Sequence, residues 1–246
     1  MVGTTTCLLL QPLHLITMEY ANPYVVANAE ASERTLFIRR TYIHLALAIV
    51  AFAGLEAFFL AQPWAGPLAQ KMTNNWWMVL IPFIAVSWIA DKWAMSATSR
   101  GTQYLGLGLF IIAEAIIFIP LLYIAAFFSK DPDIIAKAGI MTGFLFAGLT
   151  IIAFATKADF SFLRGFIMVA SFAALGFIFV SMIFGFNLGT LFSGAMILVA
   201  GASILYSTSN ILLHYRTDQH VAAALSLFSS VALMFWYILR IFMSRD

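Results

Sequence analysis

Residues 203–240, SILYSTSNILLHYRTDQHVAAALSLFSSVALMFWYILR, decide how this chain folds. Two apolar runs meet here, 190–213 and 221–243, on either side of the charged turn HYRTDQH. Each run is long enough to cross a bilayer as a helix. So short a turn makes the two helices antiparallel neighbours. Ser203, Ser207, Asn210 and His214 recur at helical spacing and share one face of the first helix. Ser226, Ser230, Tyr237 and Arg240 do the same on the second, with Ser229 beside them. The two polar stripes can therefore meet across an interface or a hydrated gap.

Outward from this pair, composition sets the class. The chain has 246 residues, of which 63% are hydrophobic and 10% charged. A soluble domain would carry about 25% charge, and the mean hydropathy is +0.95. Seven apolar segments can be read, at roughly 41–61, 76–91, 104–128, 138–156, 163–186, 190–213 and 221–243. The expected fold is all-α, a polytopic bundle of seven transmembrane helices over 37–246, preceded by a flexible cytoplasmic tail, 1–36. A net charge of +2 without a basic cluster gives nucleic acid no footing. Cys7 is the single cysteine, which excludes intramolecular disulfides and cysteine-rich metal sites. CLLLQPLHLI is short, is broken by Pro12 and follows no basic residue, so it is a poor secretory signal. Residues 1–17 read as an extension ahead of a start at Met18.

Local signals place the ends of the spans. Trp76, Trp77, Trp88 and Trp93 flank the second, as interfacial belts prefer. Pro82 and Pro120 fall inside spans and should kink them. GIMTG (139–143), Gly148, Ala195, Gly201 and Ala222–Ala224 offer close helix approach. With the N-terminus inside, the inner loops hold eight Lys and Arg against five outside, which favours N-in and C-out. A re-entrant last helix would reconcile Arg240 and Arg245 with that rule.

Four segments along the chain resemble one family in order. AALSLFSSVALMFWYILRIF (223–242) resembles the closing helix of the Bax inhibitor-1 family, and LYSTSNI (205–211) looks like its penultimate-helix motif. TKADFSFL (156–163) and GLFIIAEAIIFIP (108–120) are similar to a family loop and to the glutamate-bearing third helix of some branches. The likeness runs from about Phe37 to the C-terminus. It implies a seven-helix bundle with a central last helix, and a cation leak channel or permease handling calcium or protons. It also implies a multi-pass protein, here of a bacterial plasma membrane, whose partners are the lipid bilayer, those ions and a possible membrane protein partner. Many members carry an aspartate in each of the last two helices, a pair implicated in pH-dependent calcium leak. Ser207 and Ser230 stand at those positions. Two hydroxyls cannot share a proton as two carboxyls can, which raises the alternative of a non-transporting modulator of a protease or stress-response partner.

Glu114 leads the candidates for ion or proton chemistry. It lies mid-span, where an ionised carboxylate costs at least ~2.5 kcal/mol and needs a proton, a partner or water. Ser207, Ser230 and Asn210 complete the expected pathway. Ser207 and Ser230 are placed ~10–15 Å deep on facing helices by helical rise, as close neighbours. Glu56 and His44 are secondary. Glu56 lies within reach of an interface, His44 near the other end of the same helix, and the two acids Glu56 and Glu114 are expected at different depths. His44, His214, Asp218 and His220 gather toward one side, but without the spacing that fixes two metal ligands on one helix; they read as polar loop residues. No H-E-x-x-H, G-x-S-x-G or intramembrane aspartate pair is present. Neither an enzyme nor a cofactor is expected.

Overall fold

The computed structural model describes residues 24–96 and 99–244. The expectations about Cys7, Pro12, residues 1–17 and Arg245 lie outside them. Eight helices follow in order: α1 (Ala31–Leu60), α2 (Ala65–Asn74), α3 (Trp77–Ala94), α4 (Arg100–Phe128), α5 (Ile134–Thr156), α6 (Leu163–Phe184), α7 (Gly189–Leu213) and α8 (His220–Met243). All but α2 are long and apolar enough to cross a membrane. The protein is an all-helical, polytopic membrane bundle. Pro82 and Pro120 both lie inside continuous helices.

The core is built from α1, α4 and α8, which run parallel. Ring contacts climb the three helices together. His44, Tyr104 and His220 meet at one level, with centroids 5.5 Å and 5.0 Å from the His44 ring. Next come Phe52, Phe110 and Phe228, the Phe228 ring lying 5.9 Å from Phe52 and 6.1 Å from Phe110. Phe118 then packs on Phe235 at 5.9 Å and Trp236 at 4.8 Å. α8 also touches α3, α5 and α7, so the last helix is central, as the resemblance implied. It is continuous for 24 residues, ~36 Å at helical rise against ~30 Å of hydrocarbon. No re-entrant turn interrupts it. α6 lies at the rim, packed on α7 with Ala174 as its buried residue.

Order begins before the boundary expected at residue 36. Val25 bridges to Arg216, Val26 N–H donates to Tyr215 O at 2.9 Å, and Thr217 N–H to Tyr24 O at 3.0 Å. Val26 is fully buried. The stretch thereby fastens the entry to α1 onto the α7–α8 turn, and α1 starts at Ala31, in a run of good helix formers. At 30 residues α1 is ~45 Å long, so the turns bearing Arg34, Arg39 and Arg40 reach past the hydrocarbon.

Two further features depart from expectation. α2 is a short helix between the first two spans, in a stretch read as a loop; Ala65, Ala69 and Met72 face inward onto α4. The glycines of GIMTG and Gly148 have open space where a side chain would stand, so that motif makes no tight helix crossing. The tight crossing is at Gly106, where an added Cβ would lie 2.5 Å from Ala90 O and 2.6 Å from Ala94 N. Only glycine lets α3 and α4 approach so closely.

Candidate functional site

The two serine stripes do meet, one helical turn away from the expected register. Ser207 Oγ lies 2.8 Å from Ser226 Oγ. Ser230 Oγ turns back and donates to Ser226 O of its own helix at 3.0 Å, so the facing hydroxyl of Ser207 is Ser226 rather than Ser230. Ser203 likewise bonds its own helix, through Val199 O at 3.0 Å. Asn210 contributes through its backbone: its carbonyl accepts from His214 N–H at 2.8 Å and Tyr215 N–H at 2.9 Å, closing α7. Tyr215 in the turn lies near Ser226, and burial pushes its phenol up to about 12, with the charges of Asp91 and Tyr206 adding to the rise. Asp91, near the end of α3, thus belongs to the surroundings of this seam. The sequence reading missed it, although a carboxylate in an otherwise apolar span was the available signal.

Ser209 carries a tie not anticipated from the stripe. It accepts from Phe160 N–H at 3.0 Å and donates to Ala158 O at 3.1 Å, fastening the α5–α6 loop to α7. In that loop, Ser161 holds Asp159 below the ordinary carboxylate range, with His214 adding to the effect. His214 Nε2 is 3.7 Å from Asp159 and Arg216 pairs with Asp218. The four residues that looked like one polar group are therefore divided. His44 and His220 meet ring to ring and Asp218 still reaches His220, whereas His214 faces Asp159 instead. His44 Nδ1–H donates to Arg40 O at 2.7 Å, which leaves Nε2 to accept from the Tyr104 hydroxyl at 3.0 Å.

Glu114 occupies the middle of α4 and is buried. Glu56 is buried more completely, at 4% exposure, rather than partly exposed. Glu56 and Glu114 both face the α1–α4 seam. Counted from the His44–Tyr104 contact, twelve residues lead up α1 to Glu56 and ten lead up α4 to Glu114, a height difference of ~3 Å; counted from the Phe52–Phe118 contact the difference is ~12 Å. Burial is the larger influence on Glu56, and Glu114 is near enough to add to it. Both Glu56 oxygens lack a hydrogen-bond partner among the described residues.

Architecture and site together define a seven-span helical membrane protein with a buried carboxyl pair in its central seam. Residues 34–246 match the family described as inhibitor of apoptosis-promoting Bax1. An uncharacterized protein of Pseudomonas aeruginosa is 32% identical over 225 residues, covering 88% of this chain and 92% of that one. Bax inhibitor 1 of Schizosaccharomyces pombe is 28% identical over 228 residues, or 91% and 82%. An uncharacterized membrane protein of Vibrio cholerae matches at 28% over 123 residues, about half of each chain. The chain belongs to the Bax inhibitor-1 family.

Proposed function

We propose that this protein is a cation-conducting leak channel or permease, of the calcium- or proton-handling kind, whose ion path passes Glu114. One observation carries the reading: a carboxyl buried in the middle of one of the most enclosed spans, with no basic partner among the described residues. Retaining an intramembrane acid costs stability, so such residues mark ion or proton paths by default. Family membership supports the same class. The N-terminus is cytoplasmic in this reading, which follows from the distribution of Lys and Arg, and a bacterial inner membrane fits the relatives from Pseudomonas aeruginosa and Vibrio cholerae. The test is flux from purified protein in liposomes, followed with calcium- and pH-sensitive dyes. Glu114→Gln keeps size and hydrogen bonding but cannot ionise, and it should lower flux at least about tenfold, the factor that ~1.4 kcal/mol of lost interaction produces. Undiminished flux would reject Glu114 as part of the path.

A second reading is a non-transporting modulator of a membrane protease or stress-response partner. It is favoured by the α7–α8 seam, where Ser207 and Ser226 satisfy each other and neither helix supplies a carboxyl. Wild-type liposomes that pass neither calcium nor protons would select it.

A further inference from the structure

Glu56 and Glu114 lie on the same aromatic-lined seam. Along the α1–α4–α8 seam, positions four apart share a face: Phe52 and Glu56 on α1; Phe110, Glu114 and Phe118 on α4. On α8 the same face carries Phe228, then Ala232, then Phe235. Aromatic rings therefore close the seam below the glutamates and above them. Phe52 bridges the layers, its ring 5.1 Å from Phe118 and 5.9 Å from Phe228. Ala232, buried and small, is the α8 residue at the level of the acids, and leaves them room.

We propose that Glu56 and Glu114 form a single proton-exchange site, in which the two carboxyls bind and release protons as one coupled unit. The inference rests on the ion-path reading above and names its ligand. Calcium asks for six to eight oxygens at ~2.3–2.6 Å. Two carboxylates supply at most four, and the phenylalanine and alanine side chains around them supply none. A proton needs only the carboxyls themselves. Glu56 is buried with both oxygens unpartnered, and a bare anion there has neither a cation nor a donor to compensate it. A bound proton removes the charge and gives the acid a donor to aim at its neighbour. The other titratable groups on the packed helices lie at other levels. His44 and His220 are toward the α1 entry, Asp91 of α3 is near Gly106, and Tyr237, Arg240 and Lys71 are toward the opposite end. None is recorded as an ion-pair partner of either glutamate.

The test is infrared titration of the carboxylic-acid C=O band in purified, lipid-reconstituted protein, beside dye-monitored proton flux. The samples are wild type, Glu56→Gln, Glu114→Gln and the double variant. The proposal expects a protonated-carboxyl signal that the double variant lacks. Removing either glutamate should move the titration midpoint of the other by about one pH unit or more, the mark of coupled sites. If a Gln variant does not fold, Glu56→Asp replaces it; retracting that carboxyl by one methylene should also shift the Glu114 midpoint. Midpoints that stay put in every folded variant overturn the pair. So does loss of the acid band on adding millimolar calcium at fixed pH, which would make the ligand a divalent cation. Shifted midpoints with no wild-type flux leave the proton site standing and remove the transport reading. Wild-type flux that survives both Gln variants, with unmoved midpoints, removes the proton site and takes Glu114 out of the path, while transport itself stands.

Discussion

At the scale of single residues, the α7–α8 seam is held by hydroxyls whose partners can be separated by mutation. Ser207→Ala and Ser226→Ala each remove the one side-chain bond that joins the stripes. Interhelical bonds of this kind contribute about 0.6 kcal/mol, rarely above ~1.7. A double-mutant cycle on Ser207 and Ser226, read by unfolding in detergent, should return a coupling of that size. The cycle on Ser207 and Ser230 should be additive, because Ser230 bonds its own backbone. Additivity in the first cycle would mean the 2.8 Å contact contributes nothing. The sequence placed both serines on the correct faces, since a period of 3.6 is robust. It misjudged the partner by one turn because the register of two helices depends on how the turn packs. Here that is fixed by Tyr24–Val26 pairing with Tyr215–Thr217, from a segment far away in the chain.

At the scale of helices, glycines separate into those that pack and those that do not. Gly106→Ala drives a methyl into the α3 backbone at Ala90 and Ala94, which have no flexible end to yield. Overpacking of this kind costs typically 1–3 kcal/mol. Gly139→Ala and Gly143→Ala meet nothing, and should be neutral or slightly stabilising, by about 0.5–1 kcal/mol, since alanine orders more cheaply in a helix. Thermal unfolding of the three variants checks the order, and a Gly143→Ala more harmful than Gly106→Ala would reverse this account of packing. The G-x-x-x-G at 139–143 was the louder motif, yet spacing alone cannot say whether a helix faces lipid or protein. The span limits, by contrast, were largely legible, because hydropathy marks where the bilayer begins. α2 was not, being amphipathic rather than apolar. The start of α5 offers a pH test. Lys137 reaches Asp131 at 2.6 Å and the Asp133 N–H donates to it at 3.0 Å. Both hold Asp131 below the ordinary carboxylate range, Lys137 most. A lowered folded value means the stabilisation is present above the ordinary pKa of about 4. It is lost as pH falls through the lowered value. Amide exchange at the first turn of α5 should quicken there, and Asp131→Asn should abolish the dependence.

Over the whole molecule, the parallel seam ties the entry to α1 and the exit of α8 to opposite sides of the membrane. α1 and α8 run the same way through a bundle of seven crossings, so the entry to α1 and the exit of α8 cannot share a face. The contacts are indifferent to which side is the cytoplasm, since every ring pair and hydrogen bond survives turning the bundle over; only charge against the inner leaflet chooses. Lys130 and Asp133 lie between α4 and α5, at the end where α8 finishes. Ala158 and Thr217 lie in the α5–α6 and α7–α8 connections, at the end where α1 begins. In a Cys7→Ser background, Lys130→Cys and Asp133→Cys should react with an impermeant thiol reagent on intact cells. Ala158→Cys and Thr217→Cys should react only after the membrane is opened. The reverse pattern would invert the protein without disturbing its fold, and would place the Arg34, Arg39 and Arg40 turns of α1 outside. Labelling of Lys130→Cys and Thr217→Cys from the same side is the more consequential result. It would require an even number of crossings between them, and the parallel α1–α4–α8 seam that carries both Glu56 and Glu114 could not then exist.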